Sequence, residues 1–340
     1  MRKQLEFVDS RGNTGGTITF QPGDKQLVKA IWLIITGTFV AVPGAAIDWT
    51  TDLSGGWAIR HQGGNNLGDL MATNTLWPLR QLTASLDGYF NETNSGVGAS
   101  AFSAVLGFPI DHGRARGMPH RNSLPMDGGE KLQVVVPALS AAGKLETADY
   151  SVKVFVEFGD GIMRYLPRLM ENSATGVASK TEYLPDNLFV FMCQEDSGAS
   201  GTLQLAVYDG KGVNVVHGPF SGLVPLCNTK YDFESASNDN FHWVFYESSD
   251  NLLNVKGSGY KVVFTSGSGN CSFAHVAIDT DVIKLLRSAE IVETDQAEEI
   301  VEASQSGASS AEISALNPKA KRSKVLPVLA KRRARASLFG

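Results

Sequence analysis

The chain reads as all-β, built as sandwiches or barrels. Three observations predict this. Short apolar runs, many of period two, succeed one another from Lys25 to Ile278 with turn residues between them. Helix signals are few. The 340 residues include 35 Gly and 13 Pro without a three-residue period, which supplies many turns and excludes collagen. A hydrophobic share of 43% builds sizeable cores and excludes a wholly disordered chain. The length exceeds one ordinary sandwich and fits two units of about 150 residues each.

Taken in order, residues 1–24 are polar and glycine-rich, centred on Ser10-Arg11-Gly12-Asn13-Thr14-Gly15-Gly16, and read as an extended arm. Residues 30–47 are eighteen in a row without a charge, which is the threshold for a membrane span. Thr36, Gly37, Thr38, Pro43 and Gly44 would interrupt such a helix, and Ile34-Ile35-Thr36 favours a strand. The better reading is a buried strand, a turn near Pro43-Gly44 and a second strand. Residues 68–86 are the best helix candidate, with Leu70, Met71, Leu76, Leu79 and Leu82 loosely spaced and Pro78 dividing them.

Clear β-runs follow. KLQVVVPAL occupies 131–139, and YSVKVFVEF at 150–158 is the cleanest: Val152, Val154, Val156 and Phe158 share one face, Ser151, Lys153 and Glu157 the other. Further runs are NLFVFMC at 187–193, TLQLAVY at 202–208, 212–216, FHWVFYE at 241–247, GYKVVFT at 259–265 and CSFAHVAI at 271–278. Asp209-Gly210-Lys211-Gly212 signals a hairpin between two of them. A faint echo, QVVVPAL at 133–139 and SGLVPL at 221–226, each ahead of an aromatic-rich strand, is compatible with two related sandwiches.

From Asp279 the character changes. Residues 281–303 carry Val282, Leu285, Leu286, Ala289, Val292 and Ile300 beneath an acidic outer face, which predicts an amphipathic helix. Residues 304–310 form a small-residue linker, and 319–340 are basic. The net charge of −5 hides this segregation: from Ser288 onward eight basic residues face seven acidic ones, leaving +1, so residues 1–287 carry −6.

Catalytic patterns are missing from the sequence. It holds no G-x-x-x-x-G-K-[ST], no H-E-x-x-H and no G-x-S-x-G elbow at Ser200 or Ser268. Cys193, Cys227 and Cys271 are too few and too widely spaced for a disulfide framework or a zinc site. His112 and His120 lie among Asp111, Arg114, Arg116 and Arg121, in a loop that reads as solvated or subunit-facing, with an anion or metal loop as the alternative. His61, His217, His242 and His275 stand singly on or beside β-runs and read as packed. No metal, cofactor or catalytic residue is expected. Trp49, Trp57, Trp77 and Trp243 are the candidates for sugar platforms, with burial the commoner fate. Met1 to Glu6 has a basic start but no apolar core after it, so no signal peptide is expected.

The tail residues Lys319, Lys321, Arg322, Lys324, Lys331, Arg332, Arg333 and Arg335 are suited to phosphates of lipid or nucleic acid. Val325-Leu326-Pro327-Val328-Leu329 and Leu338-Phe339 add apolar anchors. Without interleaved aromatics, base-specific recognition is not expected.

Residues 29–86 carry a family pattern. The run KAIWLIITGTFV, Pro43-Gly44, Trp57-Ala58-Ile59-Arg60-His61, the turn Gly63-Gly64-Asn65-Asn66 and the leucine-rich 76–86 resemble the major capsid proteins of tailless icosahedral bacteriophages of the adenovirus-like, double-jelly-roll lineage. The strand 152–158 resembles the later strand of the first jelly roll in that family. The resemblance implies two jelly rolls side by side, here at 25–160 and 161–280 after the arm at 1–24, with the helix, linker and tail at 281–340. It also implies homotrimers of pseudo-hexagonal outline in an icosahedral virion shell made in the host cytoplasm. Neighbouring capsomers and minor capsid proteins are the implied partners, with an internal membrane or packaged genome met by the tail. A carbohydrate- or receptor-binding β-sandwich is the alternative, and a β-barrel enzyme the least favoured.

Overall fold

A computed structural model of the chain describes residues 4–41, 45–63, 66–87, 91–112, 122–159, 163, 165–174, 179–185, 188–195, 204–208, 212–231, 240–244, 261–265 and 271–279. Its strands begin with β1 (Leu5–Arg11), β2 (Gly16–Phe20), β3 (Gln26–Thr38), β4 (Trp57–Gln62) and β5 (Gly68–Thr73). After helix α1 (Trp77–Asp87) come β6 (Glu92–Thr93), β7 (Ala101–Pro109), β8 (Leu124–Met126), β9 (Lys131–Val136) and β10 (Ser151–Phe158). The next five strands are β11 (Leu166–Ala174), β12 (Ser179–Tyr183), β13 (Leu188–Glu195), β14 (Gln204–Tyr208) and β15 (Asn214–Pro219). Helix α2 (Phe220–Tyr231) precedes β16 (Asn240–Val244), β17 (Lys261–Thr265) and β18 (Cys271–Asp279). The predicted helix at 281–303, the linker and the basic tail lie outside the described residues.

The first part of the uncharged run at 30–47 lies in β3, a central strand, as the strand reading expected. It pairs antiparallel with β10 on one side and β7 on the other, with Leu33 opposite both Val154 and Leu106. Ile31, Leu33 and Ile35 are fully buried together with Val152, Leu106 and Phe108. Burying each large aliphatic contributes roughly 1.5–3 kcal/mol, so this layer anchors the first core. Among the described residues no helix is long and apolar enough to cross a membrane. Among the described residues no strand follows directly: Phe39 makes a single bridge to Leu145, residues 45–56 run irregularly, and β4 starts only at Trp57.

Two sequence expectations change. The described residues of the stretch read as an arm, 4–24, are largely extended but not separate, because β1 pairs with β10 and β2 pairs with β9. The turn between β1 and β2 needs Gly15, whose φ is +69° and where a Cβ would stand 2.5 Å from the Pro137 carbonyl carbon. The predicted helix at 68–86 divides earlier than Pro78. Its first part is β5, paired with β4, and the helix begins at Trp77. Pro78 then sits in the first turn, where its missing N–H leaves no hydrogen bond unmade.

The strand order reveals a repeat. Leaving aside the short β6 and β8, the first eight strands form two sheets in the orders first-eighth-third-sixth (β1-β10-β3-β7) and second-seventh-fourth-fifth (β2-β9-β4-β5). The second eight repeat both orders, as β11-β18-β13-β16 and β12-β17-β14-β15. Each set is a jelly roll of eight strands in two facing Greek-key sheets. Each also carries its helix, α1 or α2, between its fifth and sixth strands. This repeat differs from the echo seen in the sequence, since 133–136 lies in β9 whereas 221–226 lies inside α2.

The rolls join edge to edge. β11 runs parallel to β5, with Leu169 opposite Met71 and Met170 opposite Ala72, so four strands of each roll make one eight-stranded sheet.

Candidate assembly face and roll junction

The alternation of β10 that buries Val152, Val154 and Val156 turns Phe155 outward between Lys153 and Glu157. Phe155 lies in register with Phe7 of β1 and Trp32 of β3, and Trp32 lies opposite Gly107 of β7. The Phe7 and Phe155 rings meet at 5.3 Å and 56°. Trp32 covers Gly107, where a Cβ would stand 2.6 Å from the indole. Ile34 and Val105, paired with each other, extend the same face. The result is an apolar stripe across four strands on the outside of the first sheet. Its outer end is open, with Leu5 53% and Phe7 52% exposed. Trp32 Nε1 donates to Glu157 Oε2 at 2.8 Å and Lys29 Nζ to Glu157 Oε1 at 2.9 Å, which fixes the indole and neutralises the carboxylate. A flat, rigid apolar face with its charges paired is suited to binding another apolar protein surface and has no group for acid–base chemistry.

A second indole of the first roll, that of Trp49, is also held by a carboxylate. Trp49 Nε1 donates to Glu92 Oε1 at 2.9 Å, Arg80 pairs with Glu92 Oε2 at 2.9 Å, and Arg80 also lies 5.6 Å over the Trp49 ring. This cluster ties the loop before β4 to α1.

The roll junction is polar and buried. Glu171 of β11 accepts from the Asn74 amide at 2.6 Å, the Thr75 amide at 2.9 Å, Thr75 Oγ1 at 2.9 Å and Trp77 Nε1 at 3.0 Å. A carboxylate of the second roll thus organises the β5–α1 turn of the first. Burial pushes its pKa up, against the four hydrogen bonds that pull it down. Arg168 adds a second tie, donating to the Asp69 carbonyl at 2.7 Å and pairing with Asp279 at 3.2 Å. At a third point Asn122 donates to the carbonyls of Ile110 at 2.7 Å and Tyr165 at 2.9 Å, and the His112 amide donates to Tyr165 Oη at 2.8 Å.

The residues singled out from the sequence fall as follows. His112, expected in a solvated or subunit-facing loop, is buried, while Arg114, Arg116, His120 and Arg121 lie outside the described residues. His61 and His275 are buried as expected, and His217 is exposed. The Leu67 amide donates to His61 Nδ1 at 3.3 Å, which leaves the proton on Nε2, 3.6 Å from Glu130 Oε2. That distance is longer than an ordinary hydrogen bond, so the Nε2–H points at the carboxylate without closing on it. Burial lowers the His61 pKa, with Glu130 pulling it partly back. Trp49, Trp57 and Trp77 are buried, so none offers a face to a sugar. Cys193 is buried. Among the described residues no three His, Cys, Asp or Glu are grouped to hold a metal. Lys319, Lys321, Arg322, Lys324, Lys331, Arg332, Arg333 and Arg335 lie outside the described residues.

Glu171, Asn122, Tyr165 and the aromatic stripe were not singled out from sequence. The stripe had a signal: Phe155 breaks the polar face of an otherwise regular strand. Glu171 had none, because it sits in a polar stretch with ordinary composition.

No protein-family model and no curated protein matches the sequence. Solved structures do match the fold. The STIV major capsid protein aligns over 81% of this chain and 95% of its own, at 10% identity and a TM-score of 0.57. A chain from the atomic structure of Sulfolobus Turreted Icosahedral Virus aligns over 81% and 89%, at 10% identity and a TM-score of 0.56. The chain shares the double-jelly-roll fold with these capsid proteins.

Proposed function

We propose that the chain is the major capsid protein of an icosahedral virus, with a structural rather than catalytic role. One observation carries this reading: the eight-strand order occurs twice, and the pair superimposes on viral capsid proteins over 81% of the chain. In this reading the rolls occupy residues 5–158 and 166–279, so the first includes the strands expected to be an arm.

Two rolls per copy and three copies per capsomer place six similar sandwiches in a ring, which is how a homotrimer acquires a pseudo-hexagonal outline. The stripe of Leu5, Phe7, Phe155 and Trp32 supplies the apolar face for a neighbouring copy. Its area is laid on a paired sheet, so binding orders little that is not already ordered. The eight basic residues from Lys319 to Arg335 face the shell interior and meet phosphates of a lipid bilayer or of the packaged genome. Other capsomers and minor capsid proteins are the remaining partners. The protein is made in the host cytoplasm and resides in the virion. The alternative, a carbohydrate- or receptor-binding sandwich, loses support from the burial of three of its four candidate tryptophans.

Electron microscopy with light scattering on the purified chain tests the reading. It predicts trimers with a hexagonal outline, and a stable monomer at high concentration would contradict it. Deleting residues 319–340 is expected to leave trimers intact and to impair particle assembly. Unchanged assembly would remove the interior role of the tail.

A further inference from the structure

His112 follows β7, where the first roll's chain runs against the second. Its ring is fully buried, edge-on to Phe189 of β13 at 5.7 Å and 75°, and 6.2 Å from the Tyr165 ring just before β11. Around it the junction is closed by neutral hydrogen bonds. The His112 amide donates to Tyr165 Oη, the Tyr165 amide to Asn122 Oδ1 at 3.3 Å, and Asn122 Nδ2 to two carbonyls. Neither ring nitrogen of His112 has a hydrogen-bond partner among the described residues, although the Pro109 carbonyl is near enough to favour the protonated ring slightly.

The titratable groups around the ring offer an imidazolium little. Tyr165 is held neutral by burial, which pushes its pKa up. Asp111 precedes His112 in sequence, and its charge acts on Tyr165. Phe189 and Asn122 do not titrate. A proton on His112 would therefore place a charge in an apolar slot between two rolls, where among the described residues only the Pro109 carbonyl favours it.

We propose that His112 is an acid-operated release for the junction between the two jelly rolls: protonation of its ring expels the end of β7 from between Tyr165 and Phe189 and lets the rolls separate locally. The inference concerns one chain and does not depend on the capsid role. Burial pushes the His112 pKa down from 6.5 to about 3, which supports the direction. A base with a depressed pKa in the closed state stabilises that state above pH 6.5. The contribution is lost as pH falls below 6.5 and levels off near the closed-state value of about 3. Between pH 6.5 and 4.5 the opening equilibrium is expected to rise ~50-fold from this one group.

Amide hydrogen exchange of the full chain, corrected for intrinsic rates, measures this in peptides covering 105–112 and 163–170. The wild type is expected to show the ~50-fold increase in opening. His112→Phe places an uncharged ring in the same slot and is expected to flatten the rise in these two peptides. Peptides around His61 and His275 should stay as in the wild type. The same rise in His112→Phe and wild type would overturn the proposal. An NMR titration of the His112 ring in the wild-type chain gives a second reading that needs no variant. A ring that stays neutral until the junction opens supports the proposal, and one that titrates near 6.5 with the junction closed overturns it.

Discussion

β1 and β11 hold the same place in the two rolls, each the first strand and each paired with its roll's eighth, but their other edges meet different fates. β11 is joined in parallel to β5, and its Glu171 is buried under four donors from the first roll. β1 ends its sheet among the described residues, and its charges are satisfied locally, with Arg11 Nη1 donating to Asp9 Oδ2 at 2.5 Å. A repeated topology thus does not fix what its edges do; a few side chains decide. A carboxylate that needs donors from a neighbour commits β11 to an internal joint. A charged pair, tied by Arg11 to the Thr17 carbonyl of β2, protects the backbone edge of β1, while the aromatic face beside it stays open to another molecule.

Removing the internal joint should have the largest effect. Glu171→Leu leaves two amides, a hydroxyl and an indole N–H buried without their acceptor, and is expected to cost about 3–5 kcal/mol in chemical denaturation. Glu171→Gln keeps the shape and should cost about 1–3 kcal/mol. On the assembly side, Gly107→Ala drives a methyl into Trp32 and is expected to cost about 1–3 kcal/mol and to break the Trp32–Glu157 bond. Retained stability, with an unchanged tryptophan fluorescence spectrum, would show that the indole does not rest there.

Acidification should separate the two kinds of charge. His112 and His275 are pushed down to about 3 and about 4 by burial, and His61 is lowered too, so all three withdraw stability as pH falls below 6.5. Glu171, raised by burial, acts in the opposite sense: its protonated form is favoured in the fold, so it gains as pH falls. Glu171→Gln should therefore lose stability more steeply with acid than the wild type, as read from denaturation midpoints between pH 7 and 4.5. Equal slopes would mean that Glu171 titrates normally. The smallest effect belongs to the half-exposed β1 pair: Arg11→Ala removes the Asp9 pair and the bonds to the Ser10 and Thr17 carbonyls and is expected to cost about 1 kcal/mol or less.

How much of this was legible in the sequence follows from exposure. Strands with one buried face announced themselves, and β10 was read to within a residue because Val152, Val154 and Val156 alternate with polar neighbours. β13 and β18 read as continuous apolar runs and are covered on both faces. β1 and β2 were missed because edge strands carry polar residues and Gly15-Gly16, which look like an arm until their partners β9 and β10 are in place. β5 was absorbed into a helix prediction because Leu70 and Met71 also satisfy helical spacing. The leucines of α1 were read correctly. At the junction, nothing local distinguishes Glu171 from a surface glutamate, since its burial depends on donors 94 to 97 residues away. His112 was singled out for its arginine neighbours, yet its environment is set by Tyr165 and Phe189 from the other roll.

The central claim is that β11's edge is used within the chain and β1's outer face between chains. Sedimentation velocity over a micromolar concentration series tests this most directly, comparing the wild type with the Leu5→Lys, Phe7→Lys double variant. The account predicts a wild-type trimer and a monomeric variant that remains folded, with an unchanged far-ultraviolet circular dichroism spectrum. A monomeric wild type, or trimers from both proteins, would contradict it.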